Sequence, residues 1–444
     1  MKRKMPKLML SAVSYEPLCS EEIGDVNGPP RTKKKGILCA SSKKRMYALM
    51  ILSGVALLWV FIYYKLLNHR FELPEPLREL RKMFGDGEVK KRRGREDETE
   101  NVVVTTLADT ACLPQFSKER KPEYIHIAIV ACGKLADEAL VNMKAATLVS
   151  NANLFFHIFT DEKHIKRKTF DKELQSWPAM TQHWLMFTVY PIYYPVSQDH
   201  TQWLELFKLC ASQRLFLASI LVHIDSVIYV DTDVLFLRPP EDLWEYFNNF
   251  NNTQIAGMVR ECEPSTSNCW YNKQLSHPYV QPYGVNSGVM LMNLTRMRNL
   301  KWEHELISIY NDYNSKIAYG DQDILNIYFH RHMKSLFFLS CDWNYRPLHC
   351  IHGNLCSKAK RNGVSLMHGN HGVFRDKKLL PEFFAVYDAY SDYEFSHNVF
   401  QKDVVKNAYE KLSKLAKKKD ASKCTRMKNA MLKHIRCKKT DSAH

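Results

Sequence analysis

From Ile125 onward the sequence switches repeatedly between two side-chain periods, and this alternation is the tightest constraint on the fold. IHIAIVACG (125–133) is a short apolar run closed by a glycine, and ADEALVNMKAATLV (136–149) has helical spacing. LFFHIFTDE (154–162) is a second strand and TFDKELQSW (169–177) a second helix. A helix between two strands carries the chain back across the sheet, so the expected class is α/β with a mostly parallel central sheet. Leu204, Phe207, Ala211, Leu215, Ala218 and Val222 recur at helical spacing and predict one further helix, feeding the strand SVIYV (226–230). VLFL continues to a break at Pro239-Pro240; QIAGMVR and VNSGVMLMN read as later strands, and DQDILNIYFHRH as a helix. No internal repeat is present.

The strand Ser226–Val230 ends in Asp231-Thr232-Asp233. In open α/β sheets ligands bind beyond the carboxyl ends of the strands. Two carboxylates placed there are either solvated in an acidic turn or share a cation. Oxygen ligands favour a hard divalent ion such as Mn²⁺ or Mg²⁺, which commonly holds a diphosphate and offsets charge on a leaving nucleotide. The chain has no G-x-G-x-x-G, Walker A, G-x-S-x-G or H-E-x-x-H sequence, which argues against a dinucleotide oxidoreductase, a P-loop ATPase, a serine hydrolase of that kind and a zincin.

Outside this core lies Met46–Tyr64, nineteen residues without a charge, which as a helix would be ~28 Å long and would cross a hydrocarbon layer. Lys33, Lys34, Lys35, Lys43, Lys44 and Arg45 precede it, whereas Lys65 and Arg70 are the nearby basic residues after it. The positive-inside rule therefore predicts a single-pass type II membrane protein with a cytoplasmic tail (1–45), a signal-anchor helix (46–64) and a lumenal remainder, resident in the ER or Golgi. Residues 65–124 are charged and proline-interrupted, as in a solvated stem. Packed structure is expected over 125–393, with a basic tail at 394–444 that has no evident partner.

The chain's net charge of +16 comprises +7 in residues 1–45 and +10 in residues 401–444, leaving −1 between them. A near-neutral folded part offers no broad basic face, so nucleic acid is not an expected partner. Ten of the twelve cysteines, Cys112 to Cys437, follow the apolar run, in a compartment where disulfides persist. Cys262/Cys269, Cys350/Cys356 and Cys424/Cys437 are near enough in sequence to clip loops, although spacing does not fix pairing. Sequons at Asn251 and Asn293 suit a secretory glycoprotein.

Five blocks together resemble the retaining glycosyltransferases of family 8, the glycogenin-like group with a GT-A fold. They are FKLCASQRLFLASILVHIDSVIYVDTDVLFL, GVNSGVMLMNL, DQDILN, CDWNYRP and MHGNHG, in the family's order, and the resemblance runs from about Ile125 to Tyr390. Within the family, FHIFTDE, VIYVDTDVLFLRP, GVNSGVMLMNLTRMR, YGDQDILN and LMHGNHGVF are similar to the glucoside xylosyltransferases. Those are type II membrane proteins that transfer xylose from UDP-xylose, in α1,3 linkage, to O-linked glucose on EGF repeats of Notch-type proteins. The donor sugar follows from the resemblance alone. A sibling using UDP-galactose or UDP-glucose, or a membrane-anchored sugar-nucleotide-binding protein without turnover, are the rival readings.

The resemblance implies roles for individual residues. Asp231, Asp233 and His368 would be the metal ligands, with Thr232 beside them in the donor site. Lys208 matches the family's basic donor contact, with Arg214 a second candidate; Ala131, Cys132 and Gly133 would admit the uridine. Asn286 and Ser287 would contact the sugar, and Asp321 and Gln322 would lie nearest the anomeric carbon, although Asp321 could equally cap a helix. Trp343 and Asn344 would flank the acceptor, unless Trp343 is a core aromatic. The family's His-x-x-Gly-x-x-Lys-Pro-Trp segment is replaced here by His-Gly-Asn-His-Gly-Val-Phe-Arg. Gly369 would let backbone approach a phosphate, and His371 or Arg375 would stand in for the missing lysine. For retention, attack from the leaving group's own face is preferred over a covalent glycosyl–enzyme, because no carboxylate is an evident nucleophile.

Overall fold

The computed structural model of the chain describes residues 123–435 apart from 162, 195–199, 205, 207–209, 265–268, 274, 396–399 and 420. The expected cytoplasmic tail, signal-anchor helix and nearly all of the stem lie outside the described residues, as do Lys208, Cys112 and Cys437. Among the described residues no helix is long and apolar enough to cross a membrane.

Among the described residues nine strands form two sheets: β1 (Tyr124–Val130), β2 (Asn153–Thr160), β3 (Leu185–Pro191), β4 (Ser226–Val230), β5 (Val234–Phe236), β6 (Ala256–Arg260), β7 (Val285–Asn293), β8 (Leu336–Leu339) and β9 (Leu366–His368). The large sheet has the order β3-β2-β1-β4-β7-β6-β8. Pairs β1–β2, β1–β4, β2–β3 and β6–β8 are parallel, whereas β7 runs antiparallel to both β4 and β6. The sheet is thus mostly parallel, as the alternation of strand and helix patterns predicts.

Strand periodicity explains why both faces are covered. Ile127 and Ile129 of β1 and Ile228 and Val230 of β4 join one hydrophobic cluster, while Ala128 and the intervening Val227 and Tyr229 join the other. All five residues of β4 are buried, which accounts for its apolar run Val227–Val230. Helix α1 (Ala136–Val149) and helix α2 (Lys163–Gln175) are the β1–β2 and β2–β3 connections that the periodicity predicts. Farther along come α3 (Trp302–Tyr313), α4 (Asp321–Arg331), α5 (Pro381–Ser391) and α6 (Phe400–Ala416).

Three expectations need correction. The single helix predicted from Leu204 to Val222 is instead a short helix His200–Leu204, a 3₁₀ segment Ala211–Phe216 and a turn of helix Leu217–Ile220. Cys210 adopts a left-handed conformation (φ 61°) and is bridged to Cys132, so a continuous helix is interrupted there; Val222, the last residue of the pattern, is 51% exposed.

Among the described residues the disulfides are Cys132–Cys210, Cys262–Cys269, Cys341–Cys356 and Cys350–Cys424. Cys262/Cys269 pairs as its spacing suggests. Cys350/Cys356 and Cys424/Cys437 do not pair, because the fold brings Cys424 to Cys350 across 74 residues of sequence.

Most of the segment taken for a basic tail is also packed structure. Val404, Ala408 and Leu412 bury one stripe of α6 in the same cluster as α5, and Met427, Met431, Leu432 and Ile435 continue it. The Val364 N–H donates to the Ala430 carbonyl at 2.9 Å, and Cys350–Cys424 fastens the segment. Lys406 and Lys414 lie on the exposed side of this amphipathic helix and Lys411 pairs with Asp388 of α5 and with Asp392, so charge alone disguised it as a tail.

Candidate active site

Topology gathers the site at one edge of the large sheet. The carboxyl end of β4 delivers Asp231. Because β7 is antiparallel to β4, its first residues, Asn286, Ser287 and Gly288, lie at that same edge. β6 is antiparallel to β7 and hence runs with β4, so its carboxyl end brings Glu261 there as well. The small sheet supplies the remaining piece: β5 pairs antiparallel with β9, with Val234 opposite His368.

Asp231, Asp233 and His368 consequently each place a ligand atom within 4.8 Å of the others. His368 Nε2 lies 3.4 Å from Asp233 Oδ1 and 3.8 Å from Asp231 Oδ2. Two carboxylates and a neutral imidazole are a donor set suited to Mn²⁺ or Mg²⁺, and these residues fit such an ion. Gly288 makes the approach possible, since a Cβ built on it would overlap the His368 ring.

A chain of amides fixes which imidazole nitrogen faces the carboxylates. The Gly288 N–H donates to Asn286 Oδ1 at 3.0 Å, so Asn286 Nδ2 must point the other way, to Glu261 Oε2 (2.7 Å) and Gln322 Oε1 (3.1 Å). Asn286 Oδ1 also accepts from Asn344 Nδ2 at 2.7 Å, which turns Asn344 Oδ1 toward His368 Nδ1 at 2.9 Å. Nδ1 therefore carries a proton, and Nε2 is the ring nitrogen that faces the two aspartates and would ligate an ion held there.

Arg214 ties this cluster to the next. It is 5% exposed, and its Nη2 lies 2.9 Å from Asp231 Oδ1 while Nε lies 2.8 Å from Asp321 Oδ2. Its Nη1 donates to the Ser287 carbonyl at 2.6 Å, and its guanidinium carbon sits 4.5 Å from the centre of the Tyr229 ring. Burial by itself would lower the Arg214 pKa, but Asp231 and Asp321 outweigh it and hold the proton more tightly than usual. The Asp321 carboxyl is pushed up to about 6, chiefly by burial; Arg214 opposes that shift and Asp231 adds to it. Tyr229 donates its hydroxyl to Asp231 Oδ1 at 2.8 Å.

Asp321 begins α4, and Gly320 (φ 60°) occupies the cap position, so its side chain pairs with Arg214 and does not cap the helix. Asp323 has a different environment. It accepts the Tyr271 hydroxyl and the N–H groups of Ala318 and Tyr319, each at 2.7 Å, and is fully buried.

A cavity of about 670 Å³ opens over these groups. Arg214, Asp231, Thr232, Asp233, Asn286, Ser287, Asp321, Gln322, His368, His371 and Arg375 all border it, so the fold brings these sequence-derived candidates together. Thr232 donates to Glu138 Oε2 at 3.0 Å, and Arg375 pairs with the same Glu138. Ala131 and Cys132 are buried, 0% and 2% exposed, and the Gly133 N–H donates to the Asp161 carboxylate at 3.2 Å. The Gly369 N–H donates to the Asp233 carbonyl at 2.7 Å, and a Cβ there would overlap the Phe374 ring.

The acceptor-side pair requires correction. Trp343 and Asn344 are both fully buried. Trp343 is a core aromatic with the Arg238 guanidinium over its ring at 5.2 Å, and Asn344 orients His368; neither can touch an acceptor. The two sequons also differ. Asn251 is exposed, whereas Asn293 caps the helix Leu294–Asn299 through Oδ1 and donates from Nδ2 to Asp225 and Ser226, the nitrogen a glycan would require.

Glu261 and Glu138 were not singled out from sequence. Glu261 is 4% exposed and pairs with Arg346 at 2.9 Å, while its other oxygen accepts from Asn286 and Gln322. The available signal was its position just past a strand running with β4, which becomes visible only once β7 is known to be antiparallel.

A family model described as glycosyl transferase family 8 matches residues 126–368. Glucoside xylosyltransferase 2 of Mus musculus is 46% identical over 290 residues, covering 63% of this chain and 64% of the relative. Glucoside xylosyltransferase 1 of Homo sapiens is 43% identical over 293 residues (63% of this chain, 65% of the relative), and that of Gallus gallus 39% over 332 residues (72% and 74%). The match thus spans a little under two thirds of the mouse and human relatives' own length. A crystal structure of mouse xyloside xylosyltransferase 1 is 19% identical with a TM-score of 0.42, covering 56% of this chain and 99% of that one. A family model that matches residues 126–368, more than half of the chain, together with a relative 39% identical that covers 72% of it, places this protein in glycosyl transferase family 8.

Proposed function

We propose that the protein transfers xylose from UDP-xylose, with retention and in α1,3 linkage, to O-linked glucose on EGF-type repeats of glycoproteins. It would act as a single-pass type II membrane enzyme with its catalytic domain in the lumen of the ER or Golgi. The observation that carries the reading is Arg214, a buried cation that holds the Asp231 of a three-residue metal set and the Asp321 of the α4 start on one guanidinium. The similarity to glucoside xylosyltransferases at 39–46% identity supports the choice of donor and acceptor.

Asp231, Asp233 and His368 would hold Mn²⁺ or Mg²⁺, which supplies positive charge against the diphosphate as it leaves. The chain's own residues do the rest. Arg214 fixes the direction of both carboxylates, and its positive charge lies within the cavity's wall, where low dielectric strengthens it. Gln322 is oriented by Asn286 and by the Ser287 N–H at 3.2 Å, which holds its amide in one pose beside the reacting sugar. Asp323 is saturated by three donors and Asp321 is bound to Arg214, which favours the same-face route over a covalent intermediate on either.

The test is the full chain in detergent, given Mn²⁺, an O-glucosylated EGF repeat and, separately, UDP-xylose, UDP-glucose and UDP-galactose. A mass gain of one pentose is expected. A hexose gain would reassign the donor, and absence of transfer and of UDP release with every donor would leave a binding protein. Protease treatment of sealed microsomes should spare the C-terminus if the topology is as proposed.

A further inference from the structure

Beside the large cavity lies a second of about 280 Å³, which shares Glu261, Trp270 and His371 with it. Its remaining wall comprises Leu348, Leu355, His349, His352, Glu263 and the Cys262 end of a disulfide, and the lining is mostly apolar. The space is preformed. Helix Pro347–Ile351 supplies Leu348 and His349, the Leu355 N–H donates to the His349 carbonyl at 2.9 Å, and this stretch is stapled by Cys350–Cys424 and Cys341–Cys356. Beneath it, Arg346 is 1% exposed and pairs with Glu261 at 2.9 Å.

No unpaired positive charge is available in this annex from the buried wall. His349 Nδ1 accepts from the Arg346 N–H at 3.0 Å, so its proton lies on Nε2, which faces Glu263 at 3.4 Å. An anionic phosphate has little reason to enter. A monosaccharide is a poor fit too, because the accessible lining is mostly hydrocarbon and its few polar atoms would replace only part of the water that a ring of hydroxyls loses. An apolar group fits, and Trp270 gives it a flat face at the boundary with the reaction cavity.

The two cavities meet at Glu261, Trp270 and His371, so an acceptor whose sugar hydroxyl reached the donor near Gln322 would pass Glu261 and Trp270 on the way into the annex. We propose that the annex holds an apolar side chain of the acceptor polypeptide, next in space to its glycosylated residue, so that peptide and sugar are recognised together. This rests on the transferase reading above. It also supplies what the buried Trp343 and Asn344 cannot, a surface for the acceptor.

The experiment uses the full-length protein with Leu355→Trp, which fills the annex, and Leu348→Ser, which makes it polar. Both residues border the annex and neither borders the large cavity. With an O-glucosylated EGF repeat as acceptor, KM should rise about tenfold or more, the scale of a lost apolar contact, while transfer to methyl glucoside and hydrolysis of UDP-xylose stay unchanged. Replacing the repeat's exposed apolar residues by serine should raise the wild-type KM similarly and add nothing to Leu355→Trp. Equal KM for wild type and both variants, or equal loss with the repeat and with methyl glucoside while UDP-xylose hydrolysis is intact, overturns the proposal. Should Leu355→Trp also lose hydrolysis through misfolding, Leu348→Ser decides. If the wild type transfers no xylose at all, calorimetric binding of the glucosylated repeat judges the annex separately: weaker binding to the variants upholds it, and equal binding removes it.

Discussion

His157 and Arg214 are both buried ionisable side chains on the same framework, and they answer burial in opposite ways. His157, on β2, is 1% exposed between His126 and the Tyr190 hydroxyl, each at 3.0 Å. Burial, aided by His126, pushes its pKa down to about 3, so it remains a neutral hydrogen-bonding ring. Arg214 cannot discharge, and the fold surrounds it with Asp231, Asp321 and the Ser287 carbonyl. A group able to lose its charge becomes part of an inert core. One that must keep it forces carboxylates into fixed positions, and those positions are the candidate site.

The sharpest way to break this contrast is to remove a carboxylate at the charged end. Asp233→Ala should lower xylosyl transfer on the order of 10³-fold while shifting the melting temperature by only a few degrees, and chelation of wild type by EDTA should do the same. Retained turnover in chelator would remove the metal set from the account.

Arg214→Met tests the other half of the pairing. Stranding Asp231 and Asp321 should destabilise the fold by about 3–5 kcal/mol in urea unfolding, and adding Asp321→Asn should recover part of the loss. An unchanged midpoint in Arg214→Met would mean that the carboxylates do not depend on it.

Asn344→Ala should cost about 1–3 kcal/mol of stability through unpaired buried groups. It should also weaken Mn²⁺ binding about 10- to 100-fold, followed by electron paramagnetic resonance, because His368 would lose the partner that selects its tautomer. Loss of stability with unaltered Mn²⁺ affinity would reduce Asn344 to a packing residue.

The smallest effect belongs to the neutral end. The folded pKa of His157 lies below its unfolded value of about 6.5, so below that pH the unfolded chain binds the extra proton. Its contribution is fully present above pH 6.5 and is lost as pH falls toward 3, with a slope approaching about 1.4 kcal/mol per pH unit. Relative to His157→Gln, wild type should therefore lose stability faster between pH 6.5 and 5; parallel profiles would show that His157 takes up its proton while folded.

These residues also mark how far sequence reading reaches. β4 running into Asp231-Thr232-Asp233, the Asn286-Ser287 start of β7 and the Asp321 start of α4 are local patterns, and each appears where the sequence puts it. Glu261 and the role of Asn344 were hidden because each acts through a residue far along the chain, Arg346 and His368 respectively. The helix expected through Cys210 failed for the same reason, since a bridge to Cys132 lies 78 residues away in sequence. The lysines of α6 concealed a buried stripe, because net charge records the outer face of a helix and not the inner one.

By itself the sequence determined the period of each element and the chemistry waiting at its ends, since side-chain spacing is written one turn or one pleat at a time. Only the tertiary structure decided which ends meet: the reversal of β7 and the β5–β9 pair bring Asn286, Glu261 and His368 to Asp231. Such meetings depend on pairing across long stretches of chain, where burial selects one arrangement from many that local periodicity allows equally.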